Sequence, residues 1–399
     1  MYFLFGRNLT MKYEAEEFPE LNSAIELAPK IAANAIDFEK KRRISPTIAE
    51  SIREAGLIQM AIPKEYGGLE SHLIEILAVI EEISYGDASA GWCLMNYQTT
   101  ALLSGMLPPH RAEEIFNGPE YAVPAGVLAP TALGKFVDGG MLVNGRWQFA
   151  SGCDNANWLM GSVLMVDDNG KQLYDKNEDQ LLLFPWFTRE QFTIIDTWNV
   201  SGLRGSGSHD VEVLDGFVPE NRWLALGDPL SVNGTLFRFP LISTFPPAVA
   251  AVSIGTARAA LDYFTELAKT KVPAAGSAPI CQIGYVQSAV SKAEALIDSA
   301  RSYVYTVVDS LWTTVDKGTP ATIDARRRIR LAGSHAAAMA GDAVDLLYNA
   351  AGSSSIAEDC PLQRYFRDVH VTTQHHHVNG GELERMGRLR LTGDFEGLL

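Results

Sequence analysis

Cysteine is scarce, and the four present, Cys93, Cys153, Cys281 and Cys360, show no CxxC spacing. That excludes a disulfide framework and a thiolate zinc site, and leaves them as small buried hydrophobes. Positive charge is in deficit: 33 Lys and Arg face 48 Asp and Glu, a net charge of −15. No basic surplus exists to neutralise phosphates, so nucleic acid and anionic membrane are not expected partners. Long apolar runs are missing too, since the stretch around Ala248 to Ile254 falls far short of the roughly 20 residues a membrane span needs. The N-terminus starts with apolar MYFLF but lacks a long hydrophobic region and a small-residue cleavage site, so a cytoplasmic location is expected. Residues ahead of Met11 are left out of the fold argument. No internal repeat is visible, and no strand-loop-helix carries a dinucleotide fingerprint, so any nicotinamide must act on another protein.

What is present reads as a globular chain of 399 residues, 47% hydrophobic and long enough for two or three packed units. Apolar residues recur at mostly helical spacing from Leu21 to Ile44, and further helices are expected over Ser45–Gly56 and Leu73–Ile83. Ser45 then Pro46 is a start signal, a capping hydroxyl followed by a proline whose missing N–H costs nothing there. AIPKEYGG is a loop. Between about Tyr121 and Trp223 short β-rich runs alternate with DGG, DDNG and GLRGSGS turns, the spacing of a compact β-barrel or sandwich. Long helices return over Ala248–Thr270, Gln282–Asp316, Ile323–Ala351 and Leu362–Leu391, a four-helix bundle. The fold class is therefore α+β: an N-terminal helical domain (1–118), a central β domain (119–228) and a C-terminal helical bundle (229–399).

That order, together with the strings AIPKEYGGLE, WNVSGLRGSGSHDVEVLDGFVPENR and PLQRYFRDVHVTTQHHH, resembles the acyl-CoA dehydrogenase superfamily over nearly the whole chain. The superfamily holds acyl thioester dehydrogenases and group D flavin monooxygenases, which hydroxylate aromatic compounds with reduced flavin and oxygen, so the fold alone does not choose. The dehydrogenase string TEPxxGSD has no counterpart in GVLAPTALGKFVDGG, while FASGCDNANW is similar to the monooxygenase pattern FxSGxxxAxW. Nine residues after Arg367, where dehydrogenases commonly place a glutamate base, stands His376.

The resemblance implies the oxygenase component of a two-component monooxygenase. It would take reduced FMN or FAD from a separate NAD(P)H-dependent flavin reductase, form a flavin C4a-hydroperoxide with molecular oxygen, and hydroxylate a small indolic or phenolic aromatic. An acyl-CoA dehydrogenase, or an N- or S-oxygenase on the same scaffold, stays open as the alternative. It also implies the site. Ser151 would sit near flavin N5, and His375 or His376 would face the ring, imidazole being suited to take a proton from a phenol or indole. Trp92, Asn96 and Tyr97 would wall the substrate pocket, and Trp198 would pack beside the isoalloxazine. Ser206 and Ser208 would donate to flavin phosphate, with Arg258 and the Gly352 segment NAAGSSS reaching the cofactor of another subunit in a homotetramer. A metal held by His375, His376 and His377 is not expected, because consecutive side chains on a helix diverge by about 100 degrees.

Overall fold

The Ser45 hydroxyl accepts the Ile48 backbone N–H, and Pro46 opens the helix that follows, so the capping signal works as read. The computed structural model describes residues 18–118, 121–274 and 276–395; the segment ahead of Met11 lies outside them. Helix α1 (Pro19–Lys41) buries Ala24, Ala28, Ile31, Ala35 and Phe38 at alternating spacings of four and three, one stripe of a helix facing a core. α2 (Pro46–Glu54), α3 (Leu73–Gly86), α4 (Ala88–Ala101) and α5 (Pro109–Phe116) complete this part. The loop through AIPKEYGG is compact: a Cβ on Gly68 would come within 2.1 Å of the Ile62 carbonyl oxygen, which only glycine avoids.

The strands are β1 (Pro124–Val137), β2 (Gly140–Trp147), β3 (Trp158–Met165), β4 (Leu182–Thr188), β5 (Thr193–Ile195), β6 (Asp210–Pro219) and β7 (Trp223–Leu224). They form one mixed sheet in the order β5-β6-β2-β1-β3-β4-β7. β1 and β3 run parallel, the other pairs antiparallel. The register between β1 and β3 shifts between Val127 and Ala132, a bulge that bends β1 where it passes α4.

After the short α6 (Thr235–Arg238) come α7 (Phe245–Thr270), α8 (Gly284–Asp316) and α9 (Ile323–Ala351). α7 starts on Pro246 and Pro247 at its first positions, where proline is tolerated. The expected last helix is interrupted: α10 (Pro361–Thr372) and α11 (Gly380–Thr392) are separate. Between them the Gln374 and His375 N–H groups turn back to the Val371 and Thr372 carbonyls, and the Asn379 side chain caps α11. His375, His376 and His377 therefore lie on a turn, where consecutive side chains are not spread by the roughly 100-degree step of a helix. Among the described residues no three His, Cys, Asp or Glu are grouped to hold a metal ion. No described helix is long and apolar enough to cross a membrane.

Candidate active site

Asp87 sets the position of the first wall. Its carboxylate accepts the Ser89 and Ala90 backbone N–H groups at 3.0 and 3.1 Å and so starts α4. From there Trp92, Met95, Asn96 and Thr99, spaced i, i+3, i+4 and i+7 on α4, and Leu103 just beyond it face a cavity of about 420 Å³. That volume falls within the range of small-molecule sites. β1 supplies the opposite wall through Gly126 to Ala129. The Asn96 amide grips this strand at two points, donating to the Gly126 carbonyl and accepting its N–H, both at 3.0 Å. Asn96 thus spends its polar atoms on the sheet. A Cβ on Gly126 would meet Thr100 Oγ1 at 2.3 Å, so glycine is needed for α4 and β1 to approach this closely.

The loop from Trp198 to Ser208 closes a third side, and α10 clamps it. The Asp368 carboxylate accepts the Leu203 N–H at 2.6 Å, and Arg367 donates to the Ser201 carbonyl at 2.6 Å. Gly202 packs so tightly there that a Cβ would lie 2.2 Å from the Arg367 carbonyl oxygen. Leu203 and Phe149 both line the cavity with positive φ, 50° and 63°, a conformation that bulky side chains disfavour and that tends to mark functional sites. Burial, with the neighbouring Asp87 carboxylate, pushes Asp368 up to about 7; burial also lifts Asp87 to about 6, although Arg364 opposes it.

Ser151 comes from the turn after β2. Its hydroxyl accepts the Trp92 indole N–H at 3.0 Å and lies 2.7 Å from the Ser208 hydroxyl. Ser208 is 2.8 Å from the Ser206 hydroxyl, which donates to the Leu203 carbonyl at 2.8 Å. Trp198 stands beside this chain with its indole N–H on the same carbonyl at 3.0 Å and its ring edge-on to Phe149.

The histidine turn forms the fourth side. His375 meets the Trp92 ring edge-on at 5.5 Å. It is partly buried and lines the cavity, and burial, with His376 adding to it, pushes the imidazole down to about 3. It is therefore neutral near pH 7. His377 is buried and stacked on Phe245 at 4.8 Å, neither ring nitrogen finds a partner among the described residues, and burial pushes it down to about 2. His376 is exposed, lies 3.8 Å from the His377 ring, and is also lowered by burial.

The structure thus brings Trp92, Asn96, Ser151, Trp198, Ser208, His375 and His376 to one cavity and leaves other expected residues elsewhere. Tyr97 faces the other side of α4, buried, its hydroxyl donating to the Gly152 carbonyl at 2.8 Å; it braces the Ser151 turn from behind. Ser206 and Ser208 are 1% and 2% exposed, with both hydroxyls engaged in the internal chain rather than offered to a phosphate. Arg258 is paired within its own chain to Glu81 at 2.7 Å and Glu82 at 3.2 Å. Burial alone would raise Glu81, but Arg301, Arg258 and the Tyr305 hydroxyl outweigh it. Gly352 ends α9 on the surface at φ 57°. Sequence reasoning missed Phe149, Leu203, Phe245 and the Asp368 clamp. Only the Arg367–Asp368 pair left a visible mark, used merely as a counting point.

Among the described residues no acid and no Lys or Arg lines the cavity. Walls of tryptophan, methionine and phenylalanine around a few hydroxyls and neutral imidazoles fit a flat heteroaromatic ring with a polar edge.

Comparison with known proteins agrees. Residues 24–107 match the acyl-CoA dehydrogenase N-terminal domain and residues 248–380 the C-terminal domain. The chain is 32% identical over 339 residues, 85% of each chain, to an indole-3-acetate monooxygenase of Pseudomonas putida. It is 30% identical over 400 residues, 98% of this chain and 99% of the other, to a pigment production hydroxylase of Rhodococcus erythropolis. Among solved structures, XiaF from Streptomyces sp. in complex with FADH2 and glycerol superimposes with a TM-score of 0.88 at 25% identity, over 95% of this chain and 97% of that one. With that fold, these relatives and a cavity that offers imidazole where a dehydrogenase needs a carboxylate, the chain belongs to the acyl-CoA dehydrogenase superfamily, in its branch of flavin-dependent monooxygenases.

Proposed function

We propose that this chain is the oxygenase component of a two-component monooxygenase that hydroxylates a small indolic or phenolic compound. The observation that carries this reading is the cavity lining: aromatic walls, a Ser151 hydroxyl and a neutral His375, with no carboxylate among the residues that face it. Removal of an acyl thioester α-proton needs a placed carboxylate, which this lining lacks.

Reduced FMN or FAD, when bound, supplies the electrons and the ring that convert dioxygen into an electrophilic oxygen donor. The chain's own residues would do the rest. Ser151 would hold the N5 edge of the flavin, and Trp198 would pack beside its ring system. The apolar side chains of Met95, Leu103, Val127 and Met160 keep water away from the reacting atoms. His375, held neutral by burial, would accept a hydrogen bond from a phenol hydroxyl or an indole N–H, raising electron density on the ring as the oxygen arrives. The Trp92 edge holds that imidazole in orientation.

A separate NAD(P)H-dependent reductase supplies the reduced flavin, since no dinucleotide fingerprint is present in this sequence. Among the described residues no Lys or Arg lines the cavity, so the flavin phosphate would extend beyond it, and we place the Gly352 segment of another subunit near that end, in a homotetramer. The acidic chain is assigned to the cytoplasm; no described helix is fit to span a bilayer.

The experiment is turnover with chemically reduced flavin, oxygen and a panel of indoles and phenols, following oxygen uptake and hydroxylated product. Coupled uptake and hydroxylation are expected. Bleaching of bound oxidised flavin by an acyl-CoA, with no oxygen-dependent product from any aromatic, would overturn the reading.

A further inference from the structure

Four side chains and one carbonyl form a continuous hydrogen-bonded line: Trp92 Nε1 to Ser151 at 3.0 Å, Ser151 to Ser208 at 2.7 Å, Ser208 to Ser206 at 2.8 Å, and Ser206 to the Leu203 carbonyl at 2.8 Å. Its two ends are of opposite and unalterable kind. An indole N–H only donates; a backbone carbonyl only accepts. Each hydroxyl between them has one proton.

The proton positions follow from the carbonyl end. Three donors converge on the Leu203 carbonyl, and the Ser206 hydroxyl, at 2.8 Å, is nearer than the Trp198 indole at 3.0 Å and the Ser206 N–H at 3.1 Å. Ser206 spends its proton there and must accept from Ser208. Ser208, its proton spent in turn, must accept from Ser151. The other acceptor within reach of Ser151, the Phe149 carbonyl, is 3.5 Å away, too long to compete with a 2.7 Å contact. Ser151 therefore accepts from Trp92, donates to Ser208, and has one lone pair left. Ser151 lines the cavity. Aligned bonds of this sort also polarise one another, which reinforces a single direction.

We infer that Ser206 and Ser208 are positioning residues that hold the Ser151 hydroxyl as an acceptor toward the cavity, so that the site selects the flavin whose N5 carries a hydrogen, the reduced form, over the oxidised form whose N5 is a bare acceptor. This rests on the placement of flavin N5 at Ser151 given above. It gives the buried pair a task other than the phosphate contact expected from the sequence. The same cavity would then hold reduced flavin and release oxidised flavin.

The test is binding. Reduced flavin under anaerobic conditions and oxidised flavin are each titrated into wild type, Ser208→Ala, Ser206→Ala and Ser208→Thr, and the midpoint potential of bound flavin is measured. Wild type is expected to prefer reduced flavin. Loss of the Ser208 hydroxyl releases the Ser151 proton to face the cavity, so reduced flavin binds more weakly while oxidised flavin binds as well or better. A tenfold fall in the ratio lowers the bound potential by about 30 mV for a two-electron couple. Ser206→Ala shifts the ratio in the same sense, and serves if Ser208→Ala does not fold; Ser208→Thr, which keeps the hydroxyl, restores wild-type preference. Equal weakening of both redox states, or an unchanged ratio, overturns the polarity assignment and leaves the functional reading standing. If wild type binds flavin in neither state, the functional reading falls and takes the inference with it.

Discussion

The Asp368 carboxylate accepts the Leu203 backbone N–H at 2.6 Å, and through this contact the helical bundle holds the loop that carries Trp198, Ser206 and Ser208. Asp368, Asp87 and Arg364 form a buried group with two carboxylates and one guanidinium. Burial first and the neighbouring Asp87 carboxylate second push Asp368 up to about 7, and Arg364 and Arg367 only partly oppose them.

Asp368→Asn keeps an oxygen for the Leu203 N–H and removes this titration. An unfolded aspartate ionises near 4, so from there to about 7 the folded protein holds a proton that the unfolded chain has lost, and stability falls as pH rises through that window. The variant escapes that fall. Urea unfolding should show it gaining about 1–3 kcal/mol on wild type at neutral pH relative to its standing near pH 4; an equal difference at both ends would refute the assignment.

His375 and His377 act with the opposite sign. Both are held neutral by burial, down to about 3 and about 2, whereas in the unfolded chain they take up protons below about 6.5. Their contribution is present above that value and is lost as pH falls. His377→Phe keeps the stack on Phe245 and removes two unpartnered nitrogens, so thermal melting should show its gain over wild type growing from neutral pH toward acid.

His375→Ala should lower hydroxylation by about 10- to 100-fold while flavin binding changes little, as expected when a buried substrate donor loses its hydrogen-bond acceptor at a cost of about 1–3 kcal/mol. Because the imidazole is already neutral, the wild-type rate profile should show no inflection near pH 6.5. Steady-state rates across pH check both, and full activity in the variant would exclude this histidine.

Tyr97→Phe tests the residue that the fold moved out of the pocket. Its buried hydroxyl bonds the Gly152 carbonyl, so the variant should lose about 1 kcal/mol of stability with substrate KM unchanged. A large KM change without destabilisation would return Tyr97 to the substrate.

Gly202→Ala would set a methyl group against the Arg367 carbonyl. The loop must then lift off α10, costing about 1–3 kcal/mol. Oxidised and reduced flavin should both bind more weakly in titration, which separates this variant from the opposed shifts expected of Ser208→Ala.

Much of this was legible in the chain. Helical and strand periods are local properties, so the helix, sheet, helix order, the Ser45 cap and the Leu73 helix start could be read from neighbours a few residues apart. Ser151 and His375 stood in strings that resemble a known branch, and both face the cavity. The break between α10 and α11 was less visible, because the turn residues Gln374 to Val378 include none of the usual helix breakers and the signal comes only at Asn379 and Gly380.

The sequence by itself determined which elements form and which residue types were on offer. Tertiary structure decided which face each one shows: that Tyr97 turns from the pocket its neighbour Asn96 lines, that Arg258 meets Glu81 from 177 residues away, and that Ser151 meets Ser208 across 57. A hydroxyl or guanidinium bonds whatever lies within about 3 Å. That distance is set by packing between elements remote in the chain, which leaves no trace in local spacing.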